Sequence, residues 1–424
     1  MGTLAWSGLA AALIALCCGQ ARAEVWPQWR GPDGQGHAPQ AQDLPVRWSE
    51  TENVAWKTPL PGRGWSSPVL DEERIWLTTA VEPRDASSRA VSFHALCVER
   101  ATGRLLHDVR VFTVDDPQPI HSLNSHASPS PVLADGRVFC HFGDYGTACV
   151  AADTGAIVWT NRDHRLDHQN GPGSSPIVWR DLLIFHCDGR DSQAIVALDT
   201  RTGAEVWKTP RSGALRKEAD LKKAYGTPLV VAVGGRDLLV SPAADWIYGY
   251  DPATGRELWK QSYGVLGFSV VPRPVAGHGL LFVSTSFMQP ELLALRIGDG
   301  TTAPEIVWRE KKGAPTMPSP LVVGDEVYMV SEKGVASCLD ARTGRLHWSE
   351  RLGGNVSSSP LLADGRIYVG NRDGETFVLR PGREFALEAT NRLPGSIMAT
   401  PAAVGRAIYL RTDSALYRIE KPRP

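Results

Sequence analysis

Apolar and polar positions alternate in short runs along this chain, and the runs recur as one phrase. A small residue and a proline are followed by an apolar run, a tight turn, a second apolar run and usually an Asp-x-x-Thr-Gly-x-x-x-Trp close. Short apolar runs bounded by turn residues read as strands joined in hairpins. The marker prolines are Pro68, Pro131, Pro176, Pro228, Pro274, Pro320, Pro360 and Pro401. After one longer first interval their spacing settles to roughly 40 to 50 residues, the period of propeller blades.

The clearest close runs from Asp199 through Thr202 and Gly203 to Trp207, with copies at Asp251 to Trp259 and Asp340 to Trp348 and a shortened one from Asp153 to Trp159. Asp and Thr side chains bond turn amides, and Gly takes the positive φ that bulkier residues avoid. The Trp beyond the turn offers a large apolar face that one sheet cannot bury and a neighbouring sheet can. An earlier hairpin in each unit, such as Leu133 to Phe139 or Leu362 to Tyr368, completes four strands per repeat. The eighth unit supplies only three, around Pro401, Ile408 to Leu410 and Leu416 to Arg418. Its missing strand resembles Glu52 to Thr58 at the other end of the chain. Pairing the two would close the ring and remove an exposed sheet edge. The expected fold is all-β: an eight-bladed β-propeller of four-stranded antiparallel blades, closed by an N-terminal strand around Trp56 that completes the last blade.

Length and composition suit one large closed domain. The 424 residues are 42% hydrophobic, and 41 Gly with 31 Pro fit many short strands and turns. A net charge of -1 favours neither nucleic acid nor an anionic membrane surface. The first residues differ in kind: an apolar run from Leu9 to Cys18 is followed by Ala21-Arg22-Ala23, a small-x-small cleavage pattern, although no Lys or Arg precedes the run. The expected division is a signal peptide over 1–23, an N-terminal extension over 24–50 and the propeller over 51–424, in a periplasmic or secreted protein starting at Glu24. Cys17 and Cys18 lack the small preceding residue of a lipidation signal. No other apolar stretch is long enough to span a bilayer.

Of the cysteines that remain, Cys97, Cys149 and Cys338 share one repeat position, six residues before the turn glycine, where other units carry Ala197 and Gly249. That slot calls for something small and buried, and a core thiol fits it. If Gly143 to Gly146 is a hairpin loop, Cys140 and Cys149 fall opposite each other on adjacent strands, where an exported protein could form a disulfide.

Blade geometry points to where a ligand would sit. First-to-second and third-to-fourth strand turns are short here, whereas the excess length (81–91, 113–127, 163–173, 210–225 and 284–290) belongs to loops at the opposite face. Irregular long loops on a rigid scaffold are the usual place for binding residues. Entering the innermost strands from that face are Trp65, His126, Tyr225, Phe268 and Met398, with Arg63, Asn124, Asn170 and Arg273 close by. This mixed ring suits a small planar or polar ligand or an extended peptide, while plain packing at the channel mouth would also fill these positions. His121 with His126, and His164 with His168, could be imagined around a metal, but their spacing matches no metal motif and solvated loop histidines explain them. His107 takes the Trp slot of its unit.

These repeats resemble the tryptophan-docking repeats of the pyrroloquinoline-quinone (PQQ) propeller superfamily, and the opening Trp26-Pro27-Gln28-Trp29-Arg30-Gly31-Pro32-Asp33-Gly34 resembles the start of secreted PQQ-like repeat proteins of planctomycete-type bacteria. The likeness spans residues 26 to 420. It implies one of two lives: a quinoprotein alcohol or glucose dehydrogenase holding PQQ and calcium, or a non-catalytic relative such as the outer-membrane assembly lipoprotein, which binds a partner protein. The adjacent cysteines and carboxylate cluster of the dehydrogenases have no counterparts in the chain after residue 23. The expected function is therefore an exported, monomeric binding scaffold that takes a protein partner or small ligand at the channel mouth, without catalytic residue, metal or cofactor. The alternative is a periplasmic PQQ- and calcium-dependent oxidoreductase of an alcohol or sugar. A carbohydrate-active enzyme using two channel carboxylates is a third reading, for which no pair can be named.

Overall fold

The computed structural model describes Gly2, 25–83 and 88–422, so the expected signal peptide lies outside the described residues. Eight four-stranded antiparallel sheets follow one another along the chain. In the first seven, the strands run in sequence order from the channel outwards, as in blade three: Ile177–Trp179, Leu182–Asp188, Gln193–Asp199 and Glu205–Pro210. Blade eight takes Ala402–Val404, Ala407–Arg411 and Ala415–Glu420 from the C-terminal end and Val54–Pro59 from the N-terminal end. The last pair is antiparallel, with Trp56 opposite Arg418, and it closes the ring as the repeat count anticipated. Among the described residues the only helical turns are short 3-10 segments, Gly143–Tyr145 and Ala219–Leu221.

The core lies between blades. Buried apolar side chains fall into clusters that each join neighbouring sheets, for example Trp76 and Phe93 of blade one with Val138 and Phe142 of blade two. At six of the eight seams an indole spans the gap. Trp56, Trp159, Trp207, Trp259, Trp308 and Trp348 each donate from Nε1 to a carbonyl in the next blade's outer turn, at 2.9–3.2 Å. The turn glycine must be glycine: at Gly203, with φ of +73°, a Cβ would lie 2.5 Å from the Trp159 ring. The small slot across the strand pair has the same cause. A Cβ on Gly249 would lie 2.2 Å from the Trp259 ring, and Cys149 and Cys338 sit opposite Trp159 and Trp348 in equivalent register.

Two seams depart from this rule. His107 replaces Trp in blade one and stacks on Trp76, ring centroids 6.1 Å apart, against the Gly155 turn of blade two. In blade seven the slot holds Ala389. Trp48 of the N-terminal segment stands in for the absent ring, stacked on Tyr368 at 6.2 Å, its amide donating to Asn391.

The Cys140–Cys149 bridge, conditional on a four-residue loop, is excluded by the register. The loop is Gly143–Tyr145, one residue shorter than anticipated, so Cys149 pairs with Phe139 and Cys140 with Ala148. A one-residue slip sends side chains to opposite faces. Cys140 therefore packs toward blade one and Cys149 toward blade three, both as buried free thiols.

Candidate functional site

The residue before each marker proline, small in every blade but the fifth, has a structural purpose. Ser67, Ser130, Ser175, Thr227, Arg273, Ser319, Ser359 and Thr400 form one level around the channel, on blades one to eight in turn. The hydroxyl at this level accepts the backbone N–H of the preceding blade's residue at 2.8–3.0 Å, from Ser67 donating to Ser130 round to Thr400 donating to Ser67. The belt breaks once, between Thr227 and blade five, because Arg273 has no hydroxyl.

Arg273 instead anchors a plug. Its guanidinium donates to Pro228 O, Trp29 O and Gln28 Oε1 at 2.9–3.2 Å. The N-terminal segment crosses the short-turn mouth of the channel, bonding Trp26 to Leu70 of blade one, Pro27 to Leu133 of blade two and Gln42 to Gly405 of blade eight. Gln35 accepts from Ala276 N of blade five, and Arg30 donates to Pro320 O of blade six at 2.7 Å. His37–Ala38 then adds a short parallel strand to blade seven. Arg30 and Arg273 are both buried, and burial pulls their guanidiniums down to about 9 and about 10.

With that mouth sealed, the channel becomes a cup of about 520 Å³ open at the long-loop face. Trp29 forms its floor, and its indole donates to Thr400 Oγ1 at 3.3 Å. Of the residues singled out from sequence, Trp65, Asn124, Asn170, Tyr225, Phe268 and Met398 line the cup. Trp65 Nε1 is held by Leu123 O at 3.1 Å, and Tyr225 OH by His168 O at 2.5 Å. A small two-stranded ribbon, Gly267–Phe268 against Phe287–Met288, builds one side of the rim and leaves Met288 69% exposed.

Three expected residues lie outside the cup. Arg63 sits behind Trp65, 5.0 Å from the ring centroid, and donates to Ser122 O. His126 is buried between blades one and two beside Tyr145 OH and Phe93, and burial lowers its pKa. Arg273 points to the opposite mouth, since the belt position faces the plug. Trp29, Leu123, Phe287, Met288 and Met317 were not singled out as site residues; Trp29 was visible only as part of the opening motif.

Chemistry-bearing groups elsewhere are committed to structure. His168 Nε2 faces Asp144 at 2.9 Å while its Nδ1 accepts from Gly171 N, both side chains being buried. Ser241 Oγ lies 2.8 Å from His186 Nε2, but the pair is buried at the seam of blades three and four, where Asp188 is engaged by Arg211 through two bonds. Among the described residues no three His, Cys, Asp or Glu side chains gather as a metal site.

The cup is also a poor match for PQQ with calcium. Calcium takes six or more oxygens, carboxylates foremost, and the only carboxylate in the lining is Asp220, which pairs with Arg190 at 2.8 Å. PQQ is a multiply charged carboxylate, and the single cation available, Lys223, donates to Asp220 O and has its pKa lowered by burial. No chemical step is derived through either group.

A family model described as "Outer membrane protein assembly factor BamB" matches residues 94–242 and 243–382, well over half of the chain. The chain belongs to this family. It is 24% identical over 205 residues to the BamB of Legionella pneumophila, covering 46% of this chain and 50% of that protein. Matches thus cover half or less of the length of the curated relatives. The crystal structure of BamB from Moraxella catarrhalis superposes with a TM-score of 0.60 at 14% identity, covering 86% of this chain and 99% of that one. A europium-containing methanol dehydrogenase reaches 0.59 at 12% identity over 92% and 90%. At such identities these likenesses show the shared propeller fold alone.

Proposed function

We propose that this BamB-like propeller is an exported, non-catalytic scaffold, periplasmic or secreted, which binds a protein partner or ligand at its open face. The observation that carries the reading is the asymmetry of the channel. Its own N-terminal segment seals one mouth, while the long loops and the 520 Å³ cup share the other. Family membership supports a binding role, since the relatives bear the name of an assembly factor. No helix among the described residues is long and apolar enough to cross a membrane.

The test is capture of envelope proteins by the immobilised full chain, with cross-linking to locate contacts. Trp65→Ala combined with Tyr225→Ala should abolish capture at nearly unchanged melting temperature, and cross-links should map to the long-loop face. Cross-links confined to the sealed face would reject the proposal. Stoichiometric uptake of PQQ and calcium with dye-linked turnover would replace it with the quinoprotein alternative.

A further inference from the structure

The belt hydroxyls have protons to spare. Ser67, Ser130, Ser175, Thr227 and Thr400 line the cup, and each already accepts a backbone N–H. A hydroxyl has one proton to give, and none of these five donates to another group among the described residues. The lower cup is therefore a circle of O–H donors around the Trp29 indole.

Above that circle the wall is apolar: Trp65, Tyr225, Phe268 and the methionines Met317 and Met398. Formal charge in the lining amounts to Lys223 and Asp220, of opposite sign and each already engaged. An anionic ligand would lose its hydration here without gaining a free cation. A purely apolar ligand would leave the donor circle dry and unpaired. The complement is an uncharged disc with apolar faces and oxygens around its edge.

We propose that the cup binds a neutral saccharide, one pyranose ring seated over Trp29 with its edge oxygens accepting from the belt. Aromatic side chains pack against the C–H faces of such rings, and the cup has the 300–1,000 Å³ typical of small-ligand sites. The proposal deepens the open-face reading by naming a ligand class and requires no protein partner.

Titration of the full-length protein with methyl glucoside, maltose, cellobiose and chitobiose, followed by calorimetry and tryptophan fluorescence, tests it. At least one neutral sugar should bind at millimolar or lower concentration with a change in tryptophan emission, and glucuronate should not compete. Thr227→Val keeps the shape and removes one donor, so it should weaken binding about tenfold. Ser175→Ala removes the neighbouring belt donor and should weaken binding to a similar extent. Thermal melts show whether each variant is folded at the titration temperature. Failure of all four sugars, or binding of N-acetyl-tryptophanamide in their place, overturns the saccharide assignment. Partner capture at the rim can persist in that event, so the two readings fail separately.

Discussion

The two mouths of the channel are built by opposite means. At the sealed mouth, charged and amide groups of one segment bond to blades one, two, five, six, seven and eight, and Arg30 and Arg273 are wholly buried there. At the open mouth, long loops carry aromatic and thioether side chains around the cup, and Met288 stands exposed. Polar contacts at the sealed mouth fold the segment on itself and tie it to six of the blades. At the open mouth Trp65 and Tyr225 spend their donors on loop carbonyls, whereas the belt hydroxyls and the apolar faces stay turned toward the cup.

The strongest way to break this contrast is to remove residues 26–48 while retaining the closing strand at 54–59. Losing buried Trp26 and Trp48, at about 3–5 kcal/mol each, should lower the melting temperature by on the order of 10 °C. It should also open the channel from below, seen as quencher access to the cup tryptophans. An unchanged melt would show that the plug is not structural. Arg273→Met is expected to cost roughly 2–4 kcal/mol by orphaning Trp29 O, Pro228 O and Gln28, measured by denaturant unfolding.

Acid separates the two mouths by a different route. Burial holds the imidazoles of His141, His186, His126 and His164 below their ordinary value of 6.5, His141 at about 3. These groups serve blades two and three and the loops of the open face. They stay neutral in the fold and take up protons when unfolded, so their stabilisation is full above pH 6.5 and is lost as pH falls through each group's lowered value, about 3 for His141. The loss is on the order of 1.4 kcal/mol per pH unit for a group shifted this far. Hydrogen exchange from pH 7 down to 4 should therefore loosen blades two and three before 26–38, whose buried Arg30 keeps its charge. Smallest of all, Met288→Ala should change stability by less than about 0.5 kcal/mol, leaving any effect on binding as a clean readout of the rim.

Much of this was legible in the chain. The turn motif, the Trp period and the kinship of Glu52 to Thr58 with the fourth strands are local patterns, and local patterns suffice when each repeat is built alike. Trp65, Tyr225, Phe268 and Met398 could be placed at the channel mouth because blade topology sets which end of a strand faces the channel. The errors came where neighbours decide. Arg273 and His126 occupy entrance positions by sequence, yet one reaches down to Trp29 and the other turns between blades. The Cys140–Cys149 pairing failed on one residue of loop length. The Trp slot at Ala389 is filled by Trp48 from the other end of the chain, a substitution no local pattern records.

What the sequence determined by itself is the number, order and closure of the blades, because hydrogen-bonded hairpins and docked indoles depend on residues close together in the repeat. Only the tertiary structure decided that the channel is a cup. Its floor, Trp29, and its donor belt come from residues hundreds of positions apart, and no periodicity records where an irregular N-terminal segment comes to rest across the assembled ring.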